Sequence, residues 1–250
     1  MSSEHTVESV SRDRWEAAQK WEEAHWVRTQ RLRARYFKNY IWKVLASAGA
    51  VPRYRGDDYN QWWKSQFGDY SFLPATVDNA VEVGCGPYTN VRLMRDRCRM
   101  AHLVLSDPLI RTYVNFKLTF VAEMYRKAFC SLDDHPLEEL PFAPNYFDLA
   151  VMINVLDHVK DAKLCMENLV NVTRKGGILI IGQDLTNDED MLALKEDAGA
   201  IGHPIKLDYE WFDLFLRNGF EPILYKCLNR EQGRAPKQHY GTLIFAGRKL

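Results

Sequence analysis

The sequence predicts an α/β fold, a mostly parallel sheet with helices on both faces, preceded by a helical and aromatic N-terminal segment. Three observations predict it. Beyond Pro74, short apolar runs alternate with stretches of helical period, the pattern of strands connected through crossover helices. The first such run, Val81 to Asn90 (VEVGCGPYTN), breaks into Gly84 and Gly86 before a helical stripe begins, which reads as strand, tight turn and helix start. The chain closes on two apolar runs, Pro222–Leu228 and Tyr240–Arg248, joined by NREQGRAPKQ, a return too short for a crossover helix and therefore antiparallel.

From about Val7 to Ala50 there is no proline, and apolar residues recur at helical spacing through Trp15, Ala18, Trp26, Leu32 and Tyr36, predicting one long helix or two shorter ones. Its second half, Arg28 to Lys43, is basic, as either a solvated face or a surface meeting an anion. The next stretch carries Tyr59, Trp62, Trp63, Phe67 and Tyr70, dense enough to be core packing or one wall of a pocket. The division falls near residue 75, giving an N-terminal cap over 1–75 and a sheet domain over 76–250. Strands follow at Ala80–Val83, His102–Leu105, about Phe129–Leu132, Tyr146–Ile153 and Ile178–Ile181. The unbroken apolar run Leu149–Ile153 is what a strand buried on both faces requires. Helices are expected over Ile110–Lys127, over Asp161–Arg174 with a stop at Gly176 and Gly177, and over Glu210–Asn218.

Composition narrows the function. Thirty-three basic residues balance thirty-three acidic ones among 250, so no global field steers the chain to nucleic acid or to a membrane surface. No apolar run approaches bilayer length, and the polar N-terminus lacks a signal peptide's apolar core. The five cysteines are odd in number and widely spaced, against a disulfide framework or a zinc site, and a reducing cytoplasm is expected. At the organising turn, glycines let the backbone approach a ligand, and the N–H groups of the next helix suit a carboxylate or phosphate.

Four stretches, in order, carry a resemblance: VEVGCGP; the acidic strand end in LVLSDP; LPFAPNYFDLAVMINVLDHVKD; and NVTRKGGILII with the late GFEP and closing hairpin. Together they resemble the class I S-adenosylmethionine-dependent methyltransferases, of the group called methyltransferase type 11, over about residues 79–250. The resemblance implies a Rossmann-like seven-stranded sheet with a terminal antiparallel strand, and S-adenosyl-L-methionine as cofactor. It implies that Gly84 and Gly86, with Pro87, approach the methionine half, with Glu82 orienting its ammonium. Asp107, beside Pro108, accepts the ribose hydroxyls, Asn154 and Val155 line the sulfonium end, and at adenine either a short insertion displaces the family's acid or Leu137 gives only a backbone N–H. Two places depart from the family's pattern: Tyr88 stands where many members carry a third glycine, and the acids Asp133 and Asp134 lie a few positions before the usual adenine contact.

Methyl transfer from a sulfonium asks for in-line positioning and a base near neutral pH, for which His158 and His203 are the candidates. The acceptor is expected to be a small molecule or sugar, most often through oxygen, with Tyr59, Trp62, Trp63 and His203 at its site. No metal-ligand spacing stands out, and no Asn-Pro-Pro-Tyr type motif marks a base-modifying nucleic-acid enzyme. Two alternatives remain open at this stage: a nicotinamide-dependent oxidoreductase, and a non-catalytic binding protein on the same fold.

Overall fold

The computed structural model describes residues 7–37, 44–45, 48, 57–116, 119–196 and 201–250. Seven strands form one sheet: β1 Thr76–Val83, β2 Arg99–Ser106, β3 Ser131–Asp133, β4 Phe147–Ile153, β5 Thr173–Leu185, β6 Phe220–Asn229 and β7 Gly241–Lys249. Their order is β3-β2-β1-β4-β5-β7-β6, parallel from β3 to β5, with β7 antiparallel to both neighbours. The closing hairpin is thus the one the short return predicts. The order reverses between β1 and β4, so a crevice opens at their carboxyl ends, where α/β sheets bind ligands.

Alternation along the strands sends residues to two cores. Val81, Ala150, Met152, Leu179 and Ile181 pack on one face with helix α6 (Ala162–Val172) and with helix α8 (Tyr209–Leu216), which follows helix α7 (Asp188–Glu196) in the chain. Ala80, Leu149, Val151, Ile178 and Ile180 pack on the other, with helix α3 (Val91–Met94) and with Trp63, Phe67 and Tyr70. Residues 149–153 are buried throughout, as the apolar run requires. Trp63, on helix α2 (Asp57–Gln66), and Phe67, just past its end, therefore belong to the sheet's own core; the Trp63 ring lies so close to β5 that a Cβ at Gly182 would stand 2.7 Å from it.

Local chemistry fixes the element ends. Asp161 and Asp208 cap α6 and α8 by accepting from Leu164 N (3.0 Å) and Trp211 N (2.8 Å). The helix expected over Ile110–Lys127 is two: α4 (Ile110–Tyr113) and α5 (Phe120–Arg126). Thr119 is extended and its hydroxyl caps α5 through Ala122 N, which starts a new helix there. The α6 helix ends at Val172, earlier than its expected stop. Gly176, at φ 72°, instead belongs to a bulge of β5, where the pairing with β4 shifts register after Thr173.

The N-terminal segment is strapped across the molecule. Val7 pairs with Lys206 (2.8 and 3.0 Å), and Glu8 O accepts from Ala162 N (2.9 Å). Helix α1, Arg12–Phe37, then crosses the sheet's carboxyl end. It is held by Arg14 to Ile201 O (2.6 Å), Thr112 Oγ1 to Glu23 (2.8 Å) and Gln30 to the Tyr88 hydroxyl (2.8 Å). Of the basic stretch, Lys38 and Lys43 lie outside the described residues.

Candidate active site

A cavity of about 320 Å³ occupies the crevice, with the Gly84–Asn90 loop, Asp107 and Asn154–Val155 as its floor and one face of α1 as its roof. That volume is within the size range of small-molecule sites.

The loop after β1 is shaped by Glu82. Its carboxylate, 1% exposed, accepts from Asn90 N (2.8 Å), Asn90 Nδ2 (3.1 Å), Val91 N (3.1 Å) and the Thr89 hydroxyl. Burial pushes the Glu82 pKa up, while the bonds from Thr89 and the backbone N–H groups of Asn90 and Val91 pull it back. The N–H groups that open α3 are therefore consumed inside the protein. The expectation that they face an anionic ligand is corrected: an internal carboxylate already neutralises that helix start. Glu82 lies beneath the cavity, not on its wall, and acts by holding the loop. Gly84 must be glycine because its φ is 61° and a Cβ there would stand 2.4 Å from Val155 Cγ2. Gly86, at φ 54°, has open space at its Cβ position.

Asp107, the residue after β2, stands on the cavity wall, 8% exposed. Its Oδ2 accepts from Gly86 N (3.0 Å) and its Oδ1 from Leu109 N (2.9 Å), leaving each oxygen a further acceptor position. Burial raises its pKa to about 6, against the two backbone N–H bonds that favour the anion. The neighbouring Cys85 thiol is pushed well up by burial and stays protonated, so it is no nucleophile.

Trp15, Gln19, Glu22, His25 and Trp26 of α1 form the roof, at helical spacing. The indole N–H of Trp26 holds Glu22 Oε1 at 2.7 Å, and Glu22 Oε2 stands 3.5 Å from His158 Nδ1. His158 Nδ1 also meets Gly202 O at 2.8 Å. Behind it, Asp157 joins the two candidate histidines: His203 Nδ1 is 2.5 Å from Asp157 Oδ2, His158 Nε2 is 3.6 Å from the same oxygen, and Gln183 Nε2 donates to Oδ1 at 3.0 Å. Burial opposes the charge on Asp157, but His158 and His203 outweigh it and hold this carboxyl well below the usual range. Burial likewise opposes charge on His158, and Asp157 with Glu22 offsets it, leaving the imidazole pKa raised. The ligand atoms of Asp157, His158 and His203 all lie within 4.8 Å of one another, a constellation the sequence spacing does not reveal.

Gly84, Gly86, Pro87, Asp107, Pro108, Leu137, Asn154, Val155, His158 and Trp63 all line the one cavity. His203 does not; it sits behind Asp157. Trp62 is not on the wall either, its ring standing edge-on to Trp63 at 4.8 Å, and the side chain of Tyr59 lies outside the described residues. Tyr88 replaces the missing glycine with a buried ring packed against Trp26, which roofs the cavity further. Sequence reasoning missed Glu22, Asn60, Asn90, His135, Arg234 and the buried Gln183, whose Oε1 accepts from Val155 N (3.2 Å) and Leu156 N (3.0 Å). Only Asn90, before an apolar helix, and Gln183, a polar end to an apolar strand, carried a readable signal.

Residues 81–181 match the family model described as a methyltransferase domain. No curated protein sequence matches the chain. Among solved structures, the N-methyltransferase NodS from Bradyrhizobium japonicum WM9, in complex with S-adenosyl-L-homocysteine, is 16% identical at TM-score 0.54, with 77% of this chain and 86% of that one covered. A protein described as a methyltransferase from Bacillus halodurans C-125 is 13% identical at TM-score 0.53, covering 74% and 97%. The [4+2]-cyclase SpnF is 16% identical at TM-score 0.54, covering 77% and 80%. Similarity at these identities speaks for the fold. Residues 81–181 thus carry a methyltransferase-domain sequence on a seven-stranded, Rossmann-like sheet.

Proposed function

We propose that the cavity binds S-adenosyl-L-methionine and that the chain transfers its methyl group to a small-molecule acceptor enclosed beneath α1. The observation that carries the reading is the arrangement of donors and acceptors on the floor. The α3 N–H groups that would hold a dinucleotide's pyrophosphate are spent on Glu82, and Gly86 N is spent on Asp107. What the floor offers instead is a carboxylate at the end of β2, suited to two ribose hydroxyls, beside a glycine loop that admits close approach. This favours a zwitterionic, sulfonium-bearing cofactor over the nicotinamide alternative.

When bound, the cofactor supplies an activated methyl on a positively charged sulfur. The chain supplies placement. Asp107 takes the ribose hydroxyls, the segment His135–Leu137 borders the adenine end, and Asn154 and Val155, locked by Gln183, border the sulfonium end. Asn154 adopts φ 58°, and its Oδ1 accepts from Asp184 N at 3.0 Å, which fixes this corner. His158 is the base: Nδ1 is held by Gly202 O, and the raised proton affinity from Asp157 and Glu22 suits removal of a hydroxyl proton from the acceptor. His203 positions Asp157. The roof excludes water and favours a small acceptor, a small molecule or sugar bordered by Trp63, Gln19 and Arg234, with oxygen as the proposed nucleophile. The segment before residue 76 thus acts as roof and part-core. Five free thiols fit a cytoplasmic setting, and among the described residues no helix is long and apolar enough to cross a membrane.

Isothermal titration with S-adenosylhomocysteine and with reduced nicotinamide dinucleotide tests the reading. Saturable binding of the first and none of the second is expected; the reverse would overturn it.

A further inference from the structure

Among the polar atoms around the cavity, Asn90 Oδ1 stands apart. Asn90 is 8% exposed, lines the cavity and occupies the N-cap of α3. Both its backbone N and its side-chain Nδ2 go to Glu82 Oε1, at 2.8 and 3.1 Å. A carboxylate only accepts, so the amide has one orientation: nitrogen towards Glu82, oxygen turned away from it. That oxygen is buried and has no hydrogen-bond partner in the structure. A buried carbonyl without a donor is costly and asks for an explanation.

The donors of the loop itself around Asn90 are already committed. Cys85 N donates to Ser106 O (3.2 Å), Thr89 N to Cys85 O (3.1 Å) and Gly86 N to Asp107, while Thr89 Oγ1 and Val91 N donate to Glu82. With the loop's donors spent, a donor brought by the ligand would supply the missing partner, and next to a buried carboxylate the favoured donor is cationic. We infer that Asn90 Oδ1 accepts an N–H from the α-ammonium of the bound cofactor, and that Glu82 acts through Asn90 by holding its amide in that orientation. This rests on the cofactor reading above. It assigns Asn90 as a specificity-determining residue and Glu82 as a positioning residue.

The test compares S-adenosylhomocysteine with the analogue whose α-amino group is replaced by hydrogen, by isothermal titration on the full chain. The wild-type protein is expected to lose about ten- to a hundredfold in affinity for the analogue, the worth of a hydrogen bond to a charged group. In Asn90→Leu, and in Asn90→Ser should the larger change unfold the loop, the two ligands are expected to bind within about twofold of each other. Glu82→Gln is expected to reduce the discrimination too, because a carboxamide no longer fixes the Asn90 amide. A folded Asn90 variant that discriminates as strongly as wild type would overturn the inference, since Oδ1 would then be satisfied by something other than the ammonium, such as a buried water. Wild-type protein that binds neither ligand would overturn the cofactor reading itself, and the two failures are distinct.

Discussion

Asp107 ties the fold to the proposed chemistry, and its pH behaviour can be worked from the structure. Burial raises its pKa to about 6 in the free protein, while the hydroxyls of a bound ribose need the carboxylate. The anion fraction falls from about nine-tenths near pH 7 to about one-tenth near pH 5, so the apparent dissociation constant should rise roughly tenfold across that range. Stability moves the other way. The unfolded carboxyl, near its ordinary 3.8, gives up its proton more readily than the folded one, so this group destabilises the empty fold above about pH 4, fully so above about pH 6. Asp107→Ala should flatten this component of both profiles and weaken binding near neutral pH by about 1.5–3 kcal/mol, the worth of hydrogen bonds to a charged group. Calorimetric titrations with S-adenosylhomocysteine at several pH values, on wild type and variant, measure all of this. A wild-type constant independent of pH from about 7 to 5, or a folded Asp107→Ala with the same steep dependence, would refute the reasoning.

Gly84→Ala should abolish cofactor binding or unfold the loop, because the left-handed backbone alone costs about 1–2 kcal/mol and the new Cβ meets Val155; partial rescue by Val155→Ala, read by titration, separates the clash from the backbone term. His203→Ala should cost about 1–3 kcal/mol of stability in urea denaturation by leaving Asp157 short of a partner, yet leave cofactor affinity within about twofold; a large affinity loss would place His203 at the site after all. Glu22→Gln removes a carboxylate that favours the His158 imidazolium, so the His158 pKa should fall, which ring-proton NMR follows without any acceptor in hand. An unchanged or raised value would contradict the account of the roof.

The sheet was legible because its signals are periodic: the run Leu149–Ile153 can only be a strand buried on both faces, and the return through NREQGRAPKQ can only be antiparallel. Where the reading slipped, a local competitor won. The helix expected across Thr119 breaks because a hydroxyl cap outbids continuation, and the glycines after α6 serve a bulge instead of a helix stop. The cavity floor was readable since Gly84, Gly86 and Asp107 sit at strand ends in one register. The roof was not, because nothing in the spacing of Trp15, Glu22 and Trp26 says which element that helix face will cover. The Asp157, His158 and His203 cluster was half visible: the two histidines stood out by type, but only the fold shows that one faces the cavity while the other is tied to Asp157 behind it.

The most direct test of the central claim is a titration of the intact chain with S-adenosylmethionine, followed by calorimetry and by the shift in thermal midpoint. One saturable site per chain, with stabilisation that grows with ligand concentration as linkage requires, is the predicted result. No heat and no shift in a folded protein near neutral pH would contradict it.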